Sequence, residues 1–182
     1  MEPARTLEFN RRRFVVHATE SRGGAAYAIR RSEKGRALEF LATKIEDRGG
    51  RAVETPLAHI EGEWTPENNN EFYVEQIKNS AGTPEGARLL TKLYDHMEAH
   101  LKQKGARIFS TDAFIPVYNF FRLKGFSTDD RFAKEKAESF RKMFARLQKR
   151  GVRQEAAKRR ALVGARMPVT IPMKKEIART PP

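Results

Sequence analysis

The sequence predicts an α/β fold: a mixed, mostly antiparallel sheet with a β-α-β crossover and a terminal helix, followed by a basic helical C-terminal extension. Three observations carry this. Short apolar stretches separated by glycine turns fill the first sixty or so positions. A strand, a glycine turn, a long amphipathic helix and a second strand follow between Glu71 and Thr111. The charge balance then changes abruptly at Arg131.

Arg11 to Ala18 reads as a strand, and Ser21-Arg22-Gly23-Gly24 as a hairpin turn whose glycines accept positive φ. Ala25 to Arg30 pairs back, and Ala37 to Ile45 is a third strand after Gly35. Asp47 to Arg51 turns the chain again, and a short strand is expected around Leu57, His59 and Ile60. Trp64 to Asn70 is a loop by composition, its tryptophan read as a lid over the core edge.

In Glu71 to Lys78, Phe72, Val74 and Ile77 favour a strand, but the alternation slips after Val74, as a bulge would cause. Thr83-Pro84-Glu85 then supplies an N-cap hydroxyl, a proline suited to the first helical position and an acid for the positive end of the dipole. Leu90, Leu93, Tyr94, Met97 and Leu101 share one helix face until Lys102, Lys104 and Gly105 end it. Ala106 to Thr111 is a strand, and a helix of this length between two strands implies a crossover with parallel neighbours. A short aromatic helix closes on Lys124-Gly125-Phe126. After a cap at Ser127 to Asp130, another helix carries Phe132, Ala133, Ala137, Phe140, Phe144 and Leu147 on one stripe. That stripe covers either its own domain or a partner subunit, in which case it would make a homodimer. The expected division is residues 1–130 for the α/β domain, 131–160 for a basic amphipathic helical extension and 161–182 for an extended or mobile basic tail.

The 182 residues suffice for one domain with a genuine core plus an extension. Cysteine is absent, which excludes disulfides and a thiol nucleophile. No run approaches a membrane span, and Met1 to Arg5 lacks the apolar core of a signal peptide, so a cytoplasmic protein is expected. Of the net charge of +13, the stretch from Arg131 onward holds +12 (sixteen Lys and Arg, four acids), leaving +1 before it. Lys149, Arg150, Arg153, Lys158, Arg159 and Arg160 cluster with Glu155 as the single acid among them. Such a segment seeks nucleic acid or an acidic protein, through phosphate contact more than base stacking because no aromatic residue is interleaved.

Strand, glycine turn, helix with Leu89-Leu90, strand, and Tyr118-Asn119-Phe120-Phe121-Arg122-Leu123-Lys124-Gly125-Phe126 together resemble the acetyl-CoA-binding half of the GNAT acyltransferase superfamily. The likeness runs from Glu71 to Phe126. It implies an acyl-CoA-dependent N-acyltransferase with acetyl-CoA as cofactor, lying where the bulged strand parts from the Ile108–Thr111 strand. It also implies that a backbone N–H near Val74 to Gln76 polarises the acyl carbonyl. Amides of Gly82, Gly86, Ala87 and Arg88 would meet the phosphates, with Arg88 partly offsetting Glu85. Glu75 is the implied general base, ahead of Glu61 and Glu63, because an amine must lose a proton before it attacks a thioester. Tyr118 is the tyrosine available as general acid, since the family's position for that residue falls on Phe121. The family's turn pattern keeps its second glycine at Gly86 and has Pro84 in place of the first. Pro84, Glu85 and Phe121 favour a rival reading: a non-catalytic protein of the same fold that binds nucleic acid or a partner through its extension.

His96 and His100 are four apart on the long helix. The order of a zinc protease motif is absent and no third ligand is evident, so no metal site is expected.

Overall fold

A computed structural model describes residues 3, 6–65, 70–129, 131–165 and 170–177. The chain divides into two compact units, Met1–Arg107 and Ile108–Pro182. The division falls before the charge change at Arg131 because the strand nearest the C terminus pairs with the strand that opens the second unit.

In the first unit, β1 (Thr6–Phe9), β2 (Arg12–Arg22), β3 (Ala25–Lys34), β4 (Ala37–Asp47), β5 (Ala52–Trp64) and β6 (Glu71–Asn79) form a meander. Each strand is antiparallel to the one before it. The β2–β3 turn uses Gly23 and Gly24 at φ 58° and 79°, as read from the sequence. Two features were not legible. β1 pairs with β2 through a turn at Asn10 and Arg11, which lacks a glycine and whose Arg11 the sequence predicts as the start of a strand. β5 is thirteen residues long, not a short strand around Leu57, because the register shifts between Ala42 and Thr43. Ala42 faces Ala58 and Thr43 faces Pro56, which leaves Leu57 as a bulge beside the proline. A proline is tolerated in a ladder at such a place.

α1 (Pro84–Gln103) packs on β4, β5 and β6. Leu89, Leu93, Tyr94, Met97 and Leu101 are buried on its apolar face. β4 is buried without a break from Leu38 to Thr43, so both of its faces are covered. Phe40 lies toward α1, its ring centroid 6.1 Å from that of His100. On the opposite face Arg30 is fully buried, its Nε donating to Glu54 Oε2 at 2.7 Å, while Thr43 Oγ1 donates to the same oxygen at 2.6 Å. One ion pair thus ties β3 to β5 across β4.

In the second unit, β7 (Ile108–Phe114), α2 (Ile115–Leu123), α3 (Arg131–Lys149), α4 (Gln154–Ala165) and β8 (Thr170–Glu176) follow in order. β8 is antiparallel to β7. Ser127 and Lys174 exchange backbone hydrogen bonds of 2.8 Å, and α2 packs on both strands. Phe109, Ala113, Phe121, Phe126, Ile171 and Met173 are buried here. Within 161–182, where the sequence predicts an extended or mobile tail, Thr170–Glu176 forms β8 instead. Ile171 and Met173 are buried and Pro172 and Lys174 exposed, a period-two pattern that Pro172 disguised. α3 packs against α4, with Phe140, Ala157 and Ala161 buried, so at Phe140 the aromatic stripe is covered by its own chain. The side chains of Phe132 and Ala133, the cap residue Asp130, and the expected loop and tail positions 66–69, 166–169 and 178–182 lie outside the described residues, as do Met1, Glu2, Ala4 and Arg5.

The α/β class and the dominance of antiparallel pairing stand as expected. Of the crossover, β6 and α1 belong to the first unit and β7 to the second.

Candidate functional site

The slip in alternation after Val74 is a bulge. Gly62 faces Val74 and Glu61 faces Gln76, so Glu75 has no partner across the β5 ladder. Gly62 permits this crossing: a β-carbon there would collide with the carbonyl oxygen of Tyr73 and the ring of Phe72. Val74 is buried, whereas Glu75 and Gln76 are exposed. Partial desolvation, and then the carboxylates of Glu63 and Glu61, raise the pKa of Glu75 above the ordinary 4.5. A raised pKa makes the ionised carboxylate a stronger base than an ordinary one, which suits a general base.

The start of α1 differs from what the resemblance implies. The Gly86 N–H donates to Thr83 Oγ1 at 3.2 Å, the Ala87 N–H to Thr83 O at 3.0 Å and the Gly82 N–H to Asn79 Oδ1 at 3.0 Å. Three of the four amides that the resemblance assigns to the phosphates, those of Gly82, Gly86 and Ala87, are thus already satisfied within the chain, and a helix terminus attracts anions only through free amides. Nor does Arg88 offset Glu85. Its Nη1 donates to Glu20 Oε1 at 2.8 Å, its guanidinium lies 5.3 Å over the Tyr27 ring, and Lys92 pairs with the other Glu20 oxygen. Glu85 instead accepts a hydrogen bond from the Tyr27 hydroxyl. Burial raises the pKa of Glu20, but Lys92 and Arg88 outweigh it and hold the carboxyl below its usual range. At this helix start the residues present do not fit a pyrophosphate. Glu20 and Tyr27 come from β2 and β3, and no local pattern joins them to α1.

Tyr118 is half-buried on α2, in a groove of about 210 Å³ that also takes in Asn119, Arg122, Lys134 and Arg141. Phe121 is buried, its ring 5.0 Å from that of Phe126. Lys149, Arg150, Arg153, Arg159 and Arg160 are exposed at the end of α3 and along α4, and Lys158 pairs with Glu155 at 3.4 Å.

His96 and His100 gain a neighbour that their spacing did not reveal: the His17 ring lies 5.2 Å from His96 and 6.2 Å from His100. Both nitrogens of His100 are engaged, Nδ1 with Arg31 Nη1 at 2.9 Å and Nε2 with Glu33 Oε1 at 2.6 Å. Among the described residues, Glu39, His59 and Glu61 form a group with ligand atoms within 4.8 Å of one another. Glu39 already pairs with Arg12, and His59 Nε2 lies 3.1 Å from Glu39 Oε2, so the protein's own groups neutralise this buried carboxylate.

No protein-family model and no curated protein matches the chain. Among solved structures it is similar to a protein from Desulfovibrio desulfuricans assigned to the GNAT family of acetyltransferases, at 17% identity and a TM-score of 0.42 over 52% of this chain. It spans 57% of that protein's length. It is also similar to Tetrahymena GCN5, at 11% identity and a TM-score of 0.45, over 81% of this chain and 72% of the other. The likeness is one of chain arrangement and assigns no residue a role. No described helix is long and apolar enough to cross a membrane.

Proposed function

We propose that the chain is an acyl-CoA-dependent N-acyltransferase in which Glu75 takes the proton of a primary amine. The observation behind this is the bulge: an exposed carboxylate outside the β5 ladder, with a raised pKa and the carboxylates of Glu61 and Glu63 close enough to contribute to it. These acids attract a protonated amine, and Glu75 in its ionised form removes the proton that blocks attack on an acyl carbon. Acyl-CoA supplies the activated acyl group: as the amine nitrogen bonds to the acyl carbon the thioester C–S bond breaks, and CoA leaves as a thiolate that takes up the second proton lost by the nitrogen. Its phosphates would be held elsewhere than at the Gly82, Gly86 and Ala87 amides. The cytoplasm is the setting consistent with such a donor.

The test is thiol release from acetyl-CoA with a panel of primary amines. Wild type should turn over, and Glu75→Gln should lower kcat about a hundredfold or more. No binding of acetyl-CoA at millimolar concentration would remove the reading.

A second reading has its own observation. Because the start of α1 is satisfied internally and Phe121 is buried, the fold serves as a scaffold without chemistry, and Lys149, Arg150, Arg153, Lys158, Arg159 and Arg160 bind nucleic acid or an acidic partner. Since β8 lies beyond these residues, truncation would remove a strand, and substitution of the six by glutamine is the proper probe. Loss of salt-sensitive binding supports this reading; retention refutes it.

A further inference from the structure

A depression of about 810 Å³ on the first unit lies between the β1–β2 turn and the β3–β4 turn, with Arg11, Arg13, Glu33 and Lys34 in its wall. Glu33 is already paired with Lys104 Nζ at 2.9 Å and lies 2.6 Å from His100 Nε2. Arg12 is committed to Glu39. Arg11, Arg13 and Lys34 are exposed, and Glu8 is the one carboxylate that faces any of them in the β1–β2 ladder of the described residues, opposite Arg13.

Arg11 also occupies an unusual backbone position. The turn holds Asn10 at φ 50° and Arg11 at φ 61°. Asparagine accepts that region readily, and its usual companion in a two-residue hairpin turn is glycine, because a β-carbon is disfavoured there. The turn thus keeps a guanidinium where glycine would cost less. A side chain held against local preference is a pointer to a role.

We propose that this depression binds the sugar-phosphate backbone of a single-stranded nucleic acid. Two guanidinium forks and an ammonium around a concave surface suit repeating phosphodiesters, since guanidinium donates to phosphate oxygens in pairs. An opening of this size admits a few nucleotides of one strand. The net charge of +13 draws a polyanion from a distance, although most of that charge lies in the second unit. The surface does not depend on the acyl-transfer reading and is separate in sequence from the basic residues of α3 and α4.

Fluorescence anisotropy with short labelled single-stranded DNA and RNA over a salt series tests it. Wild type should bind at least one of the two, the choice reporting the sugar. The Arg11→Gly, Arg13→Gln, Lys34→Gln variant should bind about tenfold more weakly or worse, and its log–log salt slope should flatten by roughly two, since each contact to a single strand contributes about 0.7. Arg11→Gly alone guards against misfolding: it should leave Tm unchanged or raised while weakening binding. The proposal is overturned if wild type binds neither strand, if the triple variant keeps the wild-type affinity and slope, or if a polyglutamate peptide displaces the oligonucleotide at equal charge.

Discussion

The side-chain oxygen of Asn79 occupies the space in which a β-carbon on Gly86 would lie. The same oxygen accepts from the Gly82 N–H at 3.0 Å, and Asn79 Nδ2 donates to Thr83 O at 2.9 Å, so one amide side chain joins the end of β6 to the start of α1. Gly86→Ala must displace Asn79 and also approach Leu57 O, 3.1 Å from the ideal β-carbon. The expected cost is about 1–3 kcal/mol, measured by urea denaturation. A wild-type midpoint would show that this turn yields freely. Loss of ligand binding in a Gly86 variant must therefore be read against its stability.

Arg30 and Glu54 are both buried, and each is the other's charge partner. Arg30→Met leaves a carboxylate inside without its guanidinium and should cost about 3–5 kcal/mol. Replacing both residues with apolar ones should cost less than the single change, because no isolated charge remains. Equal losses in the single and double variants would mean that the pair matters through shape alone.

Glu75 has a folded-state pKa above 4.5 because of desolvation and of Glu63 and Glu61. Folding therefore favours its protonated form. Its contribution is fully present below the unfolded value and is lost as pH rises through the raised folded one. Glu75→Gln should accordingly be at least as stable as wild type at neutral pH and should lose part of the decline in Tm with rising pH just above 4.5. A variant less stable than wild type at pH 7 would contradict the direction of the shift.

His17 is pushed the other way: desolvation, followed by His96, Arg31 and His100, lowers its pKa below 6.5. The stability linked to neutral His17 is present above 6.5 and is lost as pH falls through the folded value. Acidification should therefore lower Tm from about pH 6.5 downward. His17→Gln should flatten that limb. Identical pH profiles for wild type and the His17 variant would sink this account.

Much of the fold is legible locally. Thr83, Pro84 and the spacing of Leu90, Leu93, Tyr94, Met97 and Leu101 define α1, and Gly23-Gly24 defines a hairpin, because caps, proline geometry and positive φ act within a few residues. The bulge was visible too, since Glu75 interrupts an alternation that the register then confirms. Less legible were β1, behind a turn without glycine, and β5 and β8, each with a proline that reads as a breaker until its ladder position is known.

The sequence by itself determined the α/β class, the helix start at Thr83, the slip after Val74 and the cationic extension, for these follow from residue types and short spacings. Only the tertiary structure decided that Glu20 claims Arg88, that Tyr27 claims Glu85, that His17 joins His96 and His100, and that Thr83 and Asn79 satisfy the amides at the start of α1. The physical reason is reach. A charge or an amide proton takes the nearest suitable partner in space, and for Arg88 and Glu85 that partner stands on strands 68 and 58 positions away in sequence.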